Sequence, residues 1–169
     1  MTLSQRAKEY ATEKHAATNH TYDDYPYAFH LNMVAEAAQL FIGDLPKEKQ
    51  EVILAACWCH DLIEDARETY NDVREVVGEE VAEIAYALTN EKGRTRKERA
   101  NKKYYQGIRN TPYADLVKIC DRIANVQHSR NQNSRMLDVY RKEYYGFKEQ
   151  LFHPRKWLKV WEHLDQLLA

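Results

Sequence analysis

The chain has 169 residues, of which 44% are apolar and 30% charged, and its 25 basic and 26 acidic residues nearly balance. This balance provides no electrostatic footprint for nucleic acid or an anionic membrane, so we expect neither as a partner. Three cysteines, an odd number, argue against a disulfide framework. The longest apolar run, Val52–Trp58, is too short to span a bilayer. Because the start also lacks an apolar signal segment, we expect a soluble, cytoplasmic protein.

Helical periodicity dominates the chain, and no alternating strand pattern of useful length is present. Pro26 suits the first turn of a helix, and Gly78 separates two short helices. In chain order, helices are predicted over Thr2–Ala17, Tyr27–Phe41, Pro46 to Cys59–His60, Thr69–Val77, Glu79–Leu88, a segment ending near Arg109, Pro112–Gln127, Arg135–Phe152 and Pro154–Leu168. The loop "TNHTYDDYP" (18–26) follows the first helix, and the basic stretch "NEKGRTRKERANKK" (90–103) follows the fifth. We therefore expect an all-α fold with one domain over residues 1–169.

The segment "CHDLIED" places four ionisable side chains directly after an apolar run that belongs to a core. On a continuous helix, His60 and Glu64 share one face and Asp61 and Asp65 share the next, because residues four apart are neighbours. Burying such charges is costly unless they are paired or bound to a metal. A solvated helix end, with the two distal acids facing water, is the alternative.

Two further polar residues interrupt apolar helical stretches. Asp121 lies inside "LVKICDRIANV", where an unpaired buried carboxylate would cost several kcal/mol. Lys118 or Arg122 is a possible structural partner, and metal ligation is the other interpretation. His30 points to the apolar side of the second helix, where a histidine is either a hydrogen-bonded core residue or a ligand.

The order His, His-Asp, Asp resembles the HD superfamily of metal-dependent phosphohydrolases. The finer resemblance is to the hydrolase domain of RelA/SpoT proteins and to small alarmone hydrolases. Three stretches are similar to that family's motifs: "PYAFHLNMVAEAA", "AACWCHDLIEDARETYNDVREVVGEEVAEIAYALTN" and "LVKICDRIANV". The similarity covers about residues 15–152 of a single HD-domain helical bundle, and a C-terminal helix, 154–168, follows it.

The resemblance implies a function and a site. It implies hydrolysis of the 3′-pyrophosphate of (p)ppGpp to GDP or GTP and pyrophosphate, with Mn²⁺ or another divalent ion as cofactor and a small nucleotide as partner. The oligomeric state is left open. The residues that match the family's functional positions are His30, His60, Asp61 and Asp121 as metal ligands, Glu64 and Asp65 as the acidic pair that activates water, and Asn125 and Tyr144 as nucleotide contacts.

One departure from the family keeps other substrates open. The family's first loop carries a basic pair that holds guanine, whereas this chain has His20 and two aspartates there. Candidate cations for substrate phosphates are Lys92, Arg94, Arg96, Lys97 and Arg99, which are otherwise a solvated basic face. The alternatives are an HD phosphohydrolase of another nucleotide, such as a ppApp-type alarmone or a nucleoside phosphate, and a non-catalytic metal-binding protein that acts by association.

Overall fold

The computed structural model describes residues 1–169, and nearly all of its regular structure is helical. The helices are α1 (Leu3–Ala17), α2 (Tyr27–Gln39), α3 (Lys47–Cys59), α4 (Leu62–Asp65), α5 (Tyr70–Val77), α6 (Glu79–Ala87), α7 (Arg96–Arg99), α8 (Lys102–Arg109), α9 (Ala114–Asn131), α10 (Met136–Leu151) and α11 (Leu158–Leu168). A single antiparallel hairpin pairs β1 (Thr21–Tyr22) with β2 (Tyr25–Pro26). The all-α prediction is confirmed. None of the helices has the length and apolar character needed to cross a bilayer.

Helix starts follow the local chemistry of the sequence. At the start of α1, the Thr2 hydroxyl accepts from the Gln5 N–H, and the Gln5 side chain accepts from the Thr2 N–H. Thr69 and Asp72 form the same reciprocal capping box at α5. Gly78 has a φ of 92° between α5 and α6, a conformation that side chains rarely adopt, and it separates the two helices as predicted.

The core is one contiguous cluster of 41 buried apolar residues. Helix α3 lies at its centre and packs against α1, α2 and α6, while α9 packs against α2, α10 and α11. In the apolar run Val52–Trp58, every residue except Leu54 is buried, as expected of a helix that has neighbours on all sides. The packing of α2, α3 and α9 brings residues from distant parts of the sequence together.

The structure differs from the predicted elements at the "CHDLIED" segment. Helix α3 ends at Cys59, Asp61 leaves helical geometry with φ −105° and ψ 3°, and the short helix α4 follows. The predicted end of the third helix at Cys59–His60 therefore agrees with the structure, whereas the short helix α4 was not predicted and breaks the continuous helix supposed for comparing the faces of His60 to Asp65. At the break, the His60 imidazole contacts the carbonyl of Cys57, a local side-chain bond that competes with helix continuation.

Two other boundaries also differ from the prediction. The first loop contains the hairpin, which is too short for a period-2 signal. The last helix begins at Leu158 rather than Pro154, because His153 and Lys156 form a β-bridge and Trp157 takes a positive φ of 58°.

Candidate active site

Asp121 on α9 lies between two histidines from other helices. Its Oδ1 is 2.8 Å from Nε2 of His30 on α2 and 3.2 Å from Nε2 of His60, which follows α3. Asp61 completes the group, with Oδ2 3.0 Å from Nε2 of His60. All four side chains are buried, and their potential ligand atoms lie within 4.8 Å of one another. The four residues predicted as metal ligands are thus brought together.

The hydrogen bonding of His60 indicates that a cation fits this group. Its Nδ1 is 2.7 Å from the carbonyl oxygen of Cys57, which only accepts, so Nδ1 carries the proton. In neutral imidazole the Nε2 lone pair then faces the carboxylates of Asp61 and Asp121. Three acceptors that converge in a buried place need protons or a metal ion between them. Two imidazoles and two carboxylates suit a divalent ion such as Mn²⁺ or Zn²⁺.

The charges within the group shift its titration strongly. Burial lowers the pKa of His60, but the neighbouring Asp61 and Asp121 outweigh it and raise the pKa well above the ordinary value. Burial raises the pKa of Asp121, but Lys118, His30 and His60 outweigh it and hold the pKa well below the ordinary value. Both directions follow from the opposite charges that converge at this point.

Tyr27 and Lys118 support the two carboxylates from outside. The hydroxyl of Tyr27 donates to Oδ2 of Asp61. Nζ of Lys118 lies 3.3 Å from Oδ2 of Asp121, the oxygen that faces away from the histidines. Asp121 can therefore pair with Lys118 and contact the two histidines at the same time, because Lys118 approaches Oδ2 and the histidines approach Oδ1.

Glu64 and Asp65, on α4, lie beside the four-residue group. With Asp61 they form a second set whose carboxylate oxygens lie within 4.8 Å of one another. Oε1 of Glu64 accepts from the backbone N–H of Asn90 at 2.8 Å, whereas Asp65 makes no side-chain hydrogen bond. Desolvation in the recess and the charge of Asp61 raise the pKa of Glu64. The same causes, together with Glu64, raise the pKa of Asp65 to about 7.

A cavity of about 780 Å³ opens onto both acidic sets. Seven basic side chains line it: Arg96, Lys97, Arg99, Lys102, Lys118, Arg122 and Lys142. Three of the five cations proposed from the basic stretch are among them, while Lys92 and Arg94 are not. The cavity therefore presents a basic wall and an acidic floor, which is buried at the four-residue group and exposed at Glu64 and Asp65. This arrangement suits a metal ion and a polyanionic ligand.

Glu143 on α10 joins two of these cations. Its carboxylate accepts two hydrogen bonds of 2.9 Å from Arg96, and Oε1 lies 3.3 Å from Arg122. Arg122 also lies 4.3 Å from the ring centre of Phe147, and its side chain is only 9% exposed. The basic stretch is thus tied to α10 across the cavity.

The two residues predicted to contact nucleotide have different locations. Asn125 lines the cavity. Tyr144 does not: its ring lies against Trp161 of α11, and its buried hydroxyl has no partner. Tyr140, one turn earlier on α10, lines the cavity instead. The two tyrosines share one helix face, and packing of α11 against α10 covers the later one.

Comparisons with known proteins identify relatives of the chain. No family model matches the chain. A guanosine-3′,5′-bis(diphosphate) 3′-pyrophosphohydrolase of Aquifex aeolicus is 33% identical over 127 residues, 73% of this chain and 17% of that protein. The pyrophosphohydrolase MESH1 of Danio rerio is 28% identical over 118 residues, 70% of this chain and 64% of that protein. The resemblance drawn from the motifs is confirmed.

The fold agrees with a solved structure as well. A metazoan orthologue of SpoT, described as hydrolysing ppGpp, superposes with a TM-score of 0.77 at 20% identity, over 99% of this chain and 94% of that one. The chain therefore has the helical fold of that hydrolase. It spans about a sixth of the bacterial relative and just under two thirds of the zebrafish one.

Sequence reasoning missed several residues of the site. Tyr27 belongs to the quoted motif "PYAFHLNMVAEAA", but the spacing of residues in the sequence does not predict its contact with Asp61. Glu143 and Tyr140 lie on one helical turn of α10, and only the approach of that helix to α9 reveals them. Tyr22 lies in the loop that departs from the family motif, and that departure was the available signal.

Proposed function

We propose that the chain hydrolyses the 3′-pyrophosphate of (p)ppGpp, producing GDP or GTP and pyrophosphate. The observation that carries the proposal is the convergence of His30, His60, Asp61 and Asp121 within 4.8 Å at the floor of a cation-lined cavity. The names of the relatives from A. aeolicus and D. rerio support the same substrate. We propose Mn²⁺ as the ion held by the four side chains.

The proposed chemistry divides between the ion and the acidic pair. A divalent ion bound by the four ligands would lower the pKa of a water molecule and polarise a phosphoryl oxygen. Asp65, whose oxygens have no hydrogen-bond partner, is free to accept the proton of the attacking water. Glu64, held by the Asn90 N–H, orients that water.

Binding of the substrate is assigned to the basic wall and to Asn125. Attack on the phosphorus next to the ribose forms a bond to the water oxygen and breaks the bond to O3′, which takes a proton and becomes the 3′-hydroxyl of GDP or GTP. The pyrophosphate product is a polyanion that the wall must hold. Lys118 lies next to the acidic floor and is 17% exposed, which suits a contact with the phosphate that reacts. Arg96 and Arg122 also line the cavity and suit the second phosphate group of the same nucleotide.

A substrate panel tests the proposal directly. Protein loaded with Mn²⁺ is incubated with ppGpp, pppGpp, ppApp and GTP, and the products are separated by anion exchange. Release of pyrophosphate from ppGpp and pppGpp supports the proposal. Turnover of GTP with release of inorganic phosphate, and none of ppGpp, contradicts it.

Variants of the acidic pair separate catalysis from metal binding. Glu64→Gln and Asp65→Asn should each reduce kcat by at least about 100-fold, the usual contribution of a positioned acid or base. Metal content should stay at the wild-type value, because neither residue belongs to the four-ligand group. If the double variant Glu64→Gln/Asp65→Asn has the same effect in cells as the wild type, the protein acts by association rather than by catalysis.

A second nucleotide remains a candidate because of the hairpin. The first loop presents Tyr22 and Asp23, which contact α9, where the family has a basic pair for guanine. Cleavage of ppApp in the same panel with a kcat/KM at or above that of ppGpp would assign the enzyme to an adenine alarmone.

A further inference from the structure

The β1–β2 hairpin contacts α9 at two neighbouring points. The hydroxyl of Tyr22 donates to Oδ1 of Asn125 over 2.8 Å. Oδ2 of Asp23 lies 2.6 Å from Nε2 of His128, about one turn further along the same helix. Because consecutive hairpin residues engage consecutive turns of α9, the side chain of Tyr22 has a defined position above the helix.

Tyr22 also contacts the candidate metal group. Its ring stacks on the imidazole of His30, with centroids 4.5 Å apart and planes 24° apart. Tyr22 itself does not line the cavity, whereas His30 and Asn125 do. Any effect of Tyr22 on a ligand is therefore transmitted by these two neighbours.

The bond to Asn125 determines which end of its amide is free. An asparagine side chain has one oxygen that accepts and one NH₂ group that donates. Tyr22 engages the oxygen, and Asn125 borders the cavity, so the NH₂ group is the end left for a ligand. We propose that Tyr22 is a positioning residue that holds the Asn125 NH₂ toward the cavity and thereby selects nucleotides with a hydrogen-bond acceptor at that point.

This inference rests on the proposed function and specifies its binding site. The acceptor is a carbonyl oxygen or ring nitrogen of the base. A group that only donates would meet the NH₂ unfavourably, because two donors cannot pair and both lose water. The hairpin thus affects recognition without touching the nucleotide.

The matched variants are Tyr22→Phe and Tyr25→Phe. Tyr22→Phe keeps the ring on His30 and removes the hydroxyl, so the Asn125 amide can rotate. One neutral hydrogen bond corresponds to a rise in KM of about three- to tenfold, with kcat nearly unchanged. Tyr25 lies on the same hairpin, its ring stacks on Phe29, and its hydroxyl makes no hydrogen bond, so its variant should leave KM unchanged. An unchanged KM in Tyr22→Phe would refute the proposal that Tyr22 contributes to selection of the substrate.

A double-mutant cycle tests whether Tyr22 acts through Asn125. Asn125→Ala should raise KM, and adding Tyr22→Phe to it should change KM no further. An equal rise on both backgrounds would show that Tyr22 acts by another route. The Kd of GDP, measured by calorimetry on the same four proteins, should follow the same pattern.

A spectroscopic readout keeps the positioning role testable without turnover. The side-chain amide signal of Asn125, identified by its loss in Asn125→Ala, is followed by ¹⁵N NMR in protein loaded with Mg²⁺ or Zn²⁺. It should move in Tyr22→Phe and stay in place in Tyr25→Phe, and a signal that does not move in Tyr22→Phe overturns the inference. If no nucleotide in the panel is hydrolysed, the proposed function fails, while this signal and the Kd of GDP still test Tyr22.

Discussion

Replacement of Asp121 by asparagine should abolish most of the stabilisation that a divalent ion provides. Asp121 contacts His30, His60 and Lys118, so Asp121→Asn keeps the shape of the side chain and removes a charged ligand from the centre of the group. At a metal concentration 100 times the Kd, binding stabilises the wild type by about 2.7 kcal/mol.

The size of the effect follows from the loss of affinity. Residues that merely orient metal ligands contribute about 10- to 100-fold in affinity, so loss of a ligand should weaken binding by at least about 100-fold. The same metal concentration then stabilises the variant by about 0.4 kcal/mol or less. The difference of about 2.3 kcal/mol corresponds to about 5–9 °C in Tm for a chain of this length.

The assay compares Tm with Mn²⁺ and with a chelator for each protein, so that any intrinsic loss of stability cancels. Asp115→Asn is the control: this α9 carboxylate accepts from the Leu116 N–H and the Trp157 indole, away from the histidines. It should lower Tm equally with and without metal. If Mn²⁺ raises the Tm of Asp121→Asn as much as that of the wild type, Asp121 is not a ligand.

Three further outcomes are expected. Glu143→Gln removes the charge that bridges Arg96 and Arg122 and should lower the KM for ppGpp at low salt by about two- to fivefold. This decrease in KM should become smaller as added salt screens the charges. An unchanged KM would contradict the bridging role. Burial lowers the pKa of His15 to about 4, so between about pH 6.5 and 4 the unfolded chain binds more protons than the folded one. The free energy of unfolding should therefore fall by up to about 3 kcal/mol as the pH drops through this range. His15→Phe should reduce this dependence on pH, as measured by denaturant titrations. Gly78→Ala should lower the free energy of unfolding by about 1–3 kcal/mol, because an added Cβ has space there but alanine disfavours the positive φ. Gly107→Ala, within α8, should raise the free energy of unfolding by about 0.5–1 kcal/mol. Equal Tm values for the two variants would refute this prediction.

Much of the fold follows from local patterns, and the four-residue group follows from the family resemblance of the motifs. Periodicity and capping residues define α1 and the pair of helices around Gly78, because these depend on neighbours in the sequence. The apolar stretches around His30 and Asp121 indicated that both would be buried and would need partners, and the resemblance to the HD motifs, rather than periodicity, grouped them with His60 and Asp61.

The remaining details depend on tertiary packing. The predicted end of a helix at Cys59–His60 agrees with the structure, but periodicity gave no signal for the short helix α4 or for the bond of His60 to the Cys57 carbonyl at the break. On α10, Tyr140 and Tyr144 are equivalent by spacing, and only the position of Trp161 separates the cavity residue from the covered one. The orientation of the hairpin is likewise determined by α9, which is about a hundred residues away.

The four-residue group also has a consequence for the topology of the chain. His30 and Asp121 are 91 positions apart, and His60 and Asp121 are 61 apart, on or directly after three helices that no disulfide joins. An ion held by all four side chains would close loops of these lengths, as a pair of disulfides does in a secreted protein. In a chain whose three cysteines are all free, the metal would be the only cross-link, and its removal would leave packing and hydrogen bonds alone to hold α2 and α9 against α3.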